Sequence, residues 1–324
     1  MRIDNFLIFV KFEGISKNQQ MKNQNILSKS WYLLKRTFLE FIEDDAIKLS
    51  AALSYYTIFA LPPLLIIIIT ICGFFFGQEA VTGQLYGQIN ELVGNEAAKQ
   101  IQEAIKNVQL SDSNVFVTVF GVIMLLIGAS GVFAEIQSSI NYIWGLRAKP
   151  NKGLRKFIQN RLMSFSMIVS VGFLMLVSLM LNATLDILNA RLKLYFPEST
   201  VYLFYIINII IVLGSIALLF AIIFRTLPDG NIKWKDAFIG AGFTSVLFMI
   251  GKFAIGFYLG SSTIATVYGA AGSVVIILVW VYYSAIILYF GAEFTKVYAK
   301  TFGGNISPND YSVEIKKEIF EIPQ

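Results

Sequence analysis

Charged side chains are rare in the apolar stretches of this sequence, so the few found there mark where chemistry can occur. Lys252 is the deepest, six residues before Tyr258 and so roughly 9 Å from the end of its apolar run at 1.5 Å per residue. Glu135 and Glu293 close two other runs. Gly128, Gly131, Glu135 and Ser138 share one small, polar helix face, while Tyr289 and Glu293 form an i, i+4 pair with Tyr282 two turns earlier. Asp44, Asp45 and Lys48 stand at the entrance to the first run, and Arg225 ends the fourth. A charge at the centre of a membrane helix costs about 2.5–3.5 kcal/mol on insertion scales, so each such group needs a partner, a route to water or a function.

Two kinds of chemistry fit these residues. The carboxylates with Lys48 and Arg225 can tie helix ends together by ion pairs, or they can act as a gate or a site for a polar head group. Lys252 can snorkel to the interface on its long stem, or it can face inward toward a substrate or an acidic partner. Gly251 and Gly256 beside it leave a thin wall that another helix or a ligand can approach. A third feature is conformational. Ser50, Ser54 and Thr57 share a face just ahead of Pro62 and Pro63, with Tyr55 and Tyr56 adding polar tips. Prolines cannot donate to the carbonyls of Ile58 and Phe59, and Pro62 pushes Leu61 away from helical geometry. Ten residues in from Ala52, Pro62 lies about 15 Å deep in a ~30 Å core, where freed carbonyls need the Ser54 and Thr57 hydroxyls, water or a solute. The break is either a packed kink or a hinge lining a cavity.

Much chemistry is excluded. There is no histidine, and the one cysteine, Cys72, lies inside an apolar run, so thiol zinc sites, internal disulfides and Cys–His nucleophiles are out. No glycine-rich loop carries a Walker lysine. The residues point to no catalytic group, no cofactor and no metal site, and the expectation is a protein that is not an enzyme.

The elements that position these residues are membrane helices. Of 324 residues, 56% are hydrophobic and 15% charged, against about 25% charged in soluble domains. The mean hydropathy is +0.65. Six apolar spans are expected at 49–76, 115–136, 162–182, 202–224, 237–258 and 272–294. Lys and Arg in the connections number 21 on one side and 4 on the other, with Lys252 completing the 26. By the positive-inside tendency both termini and the 137–161 loop face the cytoplasm. The basic loops are therefore topology determinants beside anionic lipid, and nucleic acid is not an expected partner. The segment before Met21 is polar, no cleavable secretory signal is expected, and Met21 is a second candidate start.

Ahead of the first span, Trp31, Leu34, Phe38, Phe41 and Ile42 recur at helical spacing, with Lys29, Lys35, Arg36 and Glu40 between them. This predicts an amphipathic helix on the inner membrane surface, capped by Ser28 or Ser30. The 77–114 loop is expected to form two short outer helices parted near Gly94 and Asn95, and Trp144 and Trp234 fall where interfacial anchors belong. The fold class is thus an all-α integral membrane protein: six transmembrane helices, the first broken at Pro62-Pro63, plus the interfacial helix. The chain divides into a cytoplasmic segment 1–48, a membrane domain 49–294 and a cytoplasmic tail 295–324.

At this level of detail the sequence resembles a known family. "DDAIKLSAALSYYTIFALPPLL" at 44–65, "GASGVFAEIQSSINYIWGLR" at 128–147, "LPDGNIKWKDAFIGA" at 227–241, "GKFAIGFYLG" at 251–260 and "YGAAGSVVIILVWVYYSAIILYFGAEF" at 268–294 are similar, in order, to blocks of the YihY/BrkB family of bacterial inner-membrane proteins. The N-terminal 30 residues, the outer loops and the tail diverge. The resemblance implies a six-helix protein of the inner membrane, and it places Asp45, Pro62, Pro63, Glu135, Lys252 and Glu293 within motif blocks without giving them roles. The family has carried the name ribonuclease BN, but ribonuclease chemistry normally needs a carboxylate-bound metal or a histidine pair beside a basic surface, and the residues here do not offer it.

The function these readings favour is a transporter or translocator of a lipid or small solute. The residues expected along its pathway or gate are Ser54, Thr57, Pro62, Pro63, Glu135, Lys252, Tyr289 and Glu293, with Asp44, Asp45, Lys48 and Arg225 as an inner-face charge network. The alternative is a non-catalytic envelope-integrity or scaffold protein. Expected partners are membrane lipids, the lipid or solute carried, and a second copy of the chain.

Overall fold

In the amphipathic segment, apolar residues outnumber what one face can hold, and the two faces are used differently. The computed structural model describes residues 25–60, 86–87, 131–149, 198–261 and 272–315. Helix α1 (Ile26–Glu43) buries Leu33, Thr37 and Phe41, which recur every four residues, while Leu27, Trp31, Leu34, Phe38 and Ile42 stay exposed. The exposed row suits the boundary between head groups and acyl chains. Phe41 belongs to the other face, where its ring meets Phe290 edge-on at 5.5 Å between centroids. The N-cap is Asn25, not Ser28 or Ser30: the helix begins at Ile26, so both serines fall inside its first turns. The apolar periodicity already includes Leu27, which draws the helix start upstream.

Asp45 at φ 50 adopts the left-handed conformation that Asp tolerates better than most residues, in the short turn that leads into α2 (residues 46–60). The α2 hydroxyls bond back to their own helix: Ser50 Oγ donates to Ala46 O, Ser54 Oγ to Ala51 O and Thr57 Oγ1 to Leu53 O, each at 2.8 Å. Each hydroxyl has one proton, so Ser54 and Thr57 leave the carbonyls of Ile58 and Phe59 to other donors. Pro62, Pro63 and Gly128, like the 77–114 loop apart from residues 86–87, the third span and the N-terminal 24 residues, lie outside the described residues.

Helix α3 (residues 131–144) lies against α2, since a Cβ on Gly131 would stand 3.4 Å from the Tyr56 ring. Three long helices follow: α4 (Glu198–Thr226), α5 (Trp234–Ser261) and α6 (Gly272–Thr301). Within them Ile209–Thr226, Trp234–Tyr258 and Val274–Thr301 are long and apolar enough to cross a membrane. Among the described residues these are the candidate spans, so the six expected from the sequence are seen in part. Helices of 28 to 30 residues run about 42–45 Å and overreach a ~30 Å core.

Helices α5 and α6 approach closely through a reciprocal pair. A Cβ on Gly240 would collide with Thr295, and one on Gly291 would collide with Thr244. Both threonine hydroxyls are turned inward to their own helices, Thr244 Oγ1 donating to Gly240 O and Thr295 Oγ1 to Gly291 O at 2.7 Å. Gly240→Ala is expected to cost about 1–3 kcal/mol by overpacking. Gly242→Ala, whose new Cβ meets nothing within 4 Å, is expected to be neutral or stabilising by up to about 1 kcal/mol. Melting temperatures of the two purified variants check the contrast.

The remaining elements are four short strands at the end of the bundle where α1 packs. β1 (Leu146–Ala148) pairs antiparallel with β4 (Ser312–Glu314), and β2 (Gly230–Asn231) with β3 (Ser307–Pro308). They bind the segment after α6 to the ends of α3 and α4. The main hydrophobic core sits beneath them, built around Trp144, Ile140, Phe224, Leu227 and Tyr289.

Candidate functional site

The sequence on α6 reads Tyr289, Glu293, Lys296 at steps of four and three residues, which puts all three on one face. Glu40 on α1 and Asp44, the residue that caps its C-terminal end, are likewise four apart. Packing of α1 on α6, with Leu33 against Phe294 and Val297, brings the two polar rows together. Lys296 is 5% exposed and Glu293 is 0% exposed. The Lys296 Nζ lies 2.8 Å from Glu40 Oε2, 2.8 Å from Glu293 Oε2 and 3.0 Å from Asp44 Oδ2. It also donates to the carbonyl of Ile143 at 2.8 Å, which ties in the end of α3. Arg36 Nε holds the other oxygen of Glu40 at 2.7 Å, one turn earlier on α1.

The site continues along α6. Tyr289 is fully buried, and its hydroxyl lies close enough to Ser139 on α3 to interact. The geometry is not that of an aligned hydrogen bond, because the Tyr289 hydroxyl is left without a partner. Alignment decides such a contact, so the hydroxyl counts as unpaired. Ser139 Oγ donates to Glu135 Oε1 at 3.2 Å. A polar column thus runs Arg36, Glu40, Asp44, Lys296, Glu293, Tyr289, Ser139, Glu135 through an otherwise apolar helix assembly.

Glu40 lies on the interfacial helix. Burial pushes its carboxyl up, but Lys296 and then Arg36 together outweigh that and hold it below its ordinary value of 4.5. A carboxyl lowered by folding stabilises the fold fully above its unfolded value and ceases to as the pH falls through the lowered one. The wild-type protein is therefore expected to lose stability below pH 4.5 more steeply than Glu40→Gln. Melting temperatures compared between about pH 3 and pH 6 would show the two curves converging at the acid end.

Of the residues singled out from the sequence, Asp44, Glu293 and Tyr289 meet in this column, and Glu135 joins it through Ser139. Asp45 and Lys48 do not: both are exposed, Asp45 in the turn between α1 and α2 and Lys48 in the first turn of α2. Arg225 places its guanidinium over the Trp234 ring, 5.8 Å from the centroid, and its Nε is buried without a hydrogen-bond partner. Ser54 and Thr57 are occupied within α2. Lys252 is half-buried on α5, and no described residue pairs with its ammonium. Its neighbour Gly251 is where Tyr283 of α6 packs, since a Cβ there would collide with that ring.

Two aromatic residues expected at the interface separate. Trp234 is half exposed, as an anchor should be. Trp144 is buried at 1% exposure, with its indole N–H donating to Ala292 O at 3.1 Å, so it belongs to the core. Its position directly before Gly145, whose φ of 69 ends α3, turns it under the strands and not toward lipid.

Lys296 and Asp229 carry the site's geometry without having been singled out. Lys296 looks from the sequence like the first basic residue of a tail, yet α6 runs on to Thr301. The available signal was its three-residue spacing from Glu293. Asp229, in the turn between α4 and α5, is buried and accepts from Asn141 Nδ2 at 3.0 Å and Gln137 Nε2 at 3.3 Å. Among the described residues no group of three or more His, Cys, Asp or Glu is arranged to hold a metal ion.

The polar column from Glu40 onward, and the strands as far as Val313, lie inside the region that known proteins share with this chain. The family model described as "Virulence factor BrkB" matches residues 37–313, from the last two turns of α1 to within β4. A UPF0761 membrane protein of Saccharophagus degradans is 25% identical over 264 residues, covering 81% of this chain and 58% of that protein. One from Chromobacterium violaceum is 28% identical over 256 residues, covering 77% and 58%. One from Alteromonas mediterranea is 24% identical over 265 residues, covering 80% and 85%. The match spans about three-fifths of the length of the first of these relatives. No solved structure matches the chain. Apolar helices of membrane-crossing length and a family match over most of the sequence lead to one statement: the chain belongs to the BrkB family and is a multi-pass membrane protein.

Proposed function

We propose that this chain moves a lipid or small polar solute across the bacterial inner membrane, with both termini in the cytoplasm. The observation that supports this most is the buried column on α6. Charge within a membrane domain is costly enough to be functional by default. Glu293 carries two buried oxygens with no hydrogen-bond donor, an arrangement that stability alone does not favour. The column ends beside α1, whose exposed apolar row would bring it to the level of lipid head groups. Lys252, on the adjoining helix, supplies a positive charge in the membrane domain that no described residue neutralises, suited to an anionic group in transit.

Proteoliposomes test the reading. The purified chain is expected to accelerate the transfer of fluorescent phospholipid between leaflets, or the osmotically detected entry of small solutes. Glu293→Gln and Lys252→Met are each expected to lower that rate at least tenfold with Lys252→Met leaving the melting temperature unchanged. A protein that passes neither lipid nor solute, or in which both variants behave as wild type, would instead fit a scaffold of the envelope. The orientation rests on the asymmetry of Lys and Arg, and single cysteines placed in the 137–161 loop of a Cys72→Ser chain report it by labelling from either side.

A further inference from the structure

Arg225 is a cation that no described carboxylate answers. Its guanidinium lies over the Trp234 ring, 5.8 Å from the centroid, and its Nε is buried with no hydrogen-bond partner. An indole face attracts the charge, but it gives the five N–H groups no oxygen to donate to. The carboxylates nearest in sequence are engaged elsewhere: Asp229 accepts from Asn141 and Gln137, and Asp236 from the Gly304 N–H. Both are buried, whereas Lys233 and Lys235 are exposed, so the charge that this turn shows to its surroundings is positive.

The level of this corner follows from the helices. The apolar span of α4 ends at Thr226 and that of α5 starts at Trp234, so Arg225 and Trp234 stand together at one face of the bilayer. The same end of the bundle carries α1, whose Lys29 lies 6.0 Å from the centroid of Phe302, two residues before the Gly304 that Asp236 holds. Lipid phosphates lie at that depth. From Trp234 an apolar row runs down α5 at steps of four residues. Trp234, Phe238, Val246 and Ile250 are exposed, and a Cβ on Gly242 would meet nothing within 4 Å, which leaves a notch between Phe238 and Val246. The rings of Trp234 and Phe238 adjoin, 5.7 Å between centroids.

We propose that the corner between α4 and α5 binds one phospholipid, its phosphodiester held by Arg225 beside Trp234 and one acyl chain laid along the α5 row. A guanidinium fork matches two oxygens of a phosphate, which a lone ammonium does not. Lys235, next to Trp234 and without a described partner, adds attraction for the same anion. A soluble phosphate has no use for the apolar row, and a bare acyl chain none for the arginine. A phospholipid uses both, in the order in which they occur with depth. The site is separate from the polar column, whose residues come from α1, α3 and α6. It concerns a resident lipid and not one in transit, so it stands apart from the transport reading.

Native mass spectrometry of the full chain, stripped of lipid in a neutral detergent and titrated with phosphatidylglycerol, tests it. One lipid per chain is expected to bind ahead of the diffuse remainder. Arg225→Gln should weaken that first binding about tenfold or more, as loss of a hydrogen bond to a charged group does. Trp234→Leu should weaken it too, while Trp234→Phe keeps an aromatic face and should retain it. Lys300→Met, which removes an exposed charge from the same end of the bundle, should bind as wild type does. Diacylglycerol, which lacks the phosphate, should not take the site, and inorganic phosphate at constant ionic strength should not raise the melting temperature. A wild-type chain with no tight first lipid overturns the proposal and requires no variant to fold. Diacylglycerol bound as tightly as phosphatidylglycerol would reduce the row to ordinary lipid contact, and stabilisation by inorganic phosphate would assign Arg225 to a soluble anion. Either result overturns the proposal, as does an equal loss in Lys300→Met and Arg225→Gln.

Discussion

Lys296→Met is expected to destabilise the protein by about 3–5 kcal/mol, the loss typical when one partner is removed from a buried ion pair. Met keeps most of the stem and its packing, so the loss isolates the ammonium. Without it, Glu40, Asp44 and Glu293 lose the ammonium they share, and the Ile143 carbonyl loses its donor. Lys300→Met is the matched control: one turn further along α6 and exposed, it is expected to change stability by less than about 0.5 kcal/mol. The origin of the loss can be separated from packing by adding Glu293→Gln to Lys296→Met, which removes one stranded charge. The double variant should recover part of the stability, as coupled neighbours do. Denaturant or thermal unfolding in detergent measures all three, and Lys296→Met melting with Lys300→Met would show that the cluster is not what fastens α1 to α6.

How much of this site is legible in the sequence depends on whether a contact is local. The amphipathic rhythm of α1 and the apolar runs of α4, α5 and α6 are properties of neighbouring residues, and the helices follow them. Tyr289 and Glu293 could be placed on one face for the same reason. The pairing of Asp44 with Lys296 spans 252 positions, and no spacing rule contains it. Counting charges in connections even works against it, because Lys296 is then assigned to a tail. Ending a span where the hydropathy falls cuts α6 short, when a buried ion cluster allows the helix to stay inside the protein as far as Thr301. The strands are illegible for another reason. Two or three residues cannot show an alternating pattern, and Pro308 in β3 would ordinarily argue against a strand. It is admitted because β3 pairs only with the two residues of β2. Trp144 shows the limit from the other direction: an aromatic residue near a span end fits an interfacial anchor until the strands that cover it are seen.

Asp229→Ala is expected to cost about 2–4 kcal/mol, because two buried amides lose their acceptor and each unsatisfied group costs about 1–3 kcal/mol. The Asp229 carboxylate receives Asn141 Nδ2 and Gln137 Nε2 from α3, and its own N–H returns a bond to Asn141 Oδ1 at 2.7 Å. Its carbonyl accepts from Ser312 Oγ at 2.5 Å and from the Asn309 N–H at 3.1 Å. One residue thus fastens the turn between α4 and α5 to α3 on one side and to the strand segment after α6 on the other. The variant leaves the backbone bonds available, so the protein should remain folded while these joints weaken. Asp229→Asn keeps one side-chain oxygen for one of the two amides and should lose less than Asp229→Ala. The local signature is faster amide hydrogen exchange at Asn309 and at Ile315, whose N–H bonds to Gly145 O across the β1–β4 joint. Exchange along the middle of α5 should stay as in the wild type, since that helix packs through Gly240 and Gly251 and not through the turn. An Asp229→Ala protein with wild-type melting and unchanged exchange over 305–315 would mean that the strands are held by their own ladders, and that the buried carboxylate serves some other end.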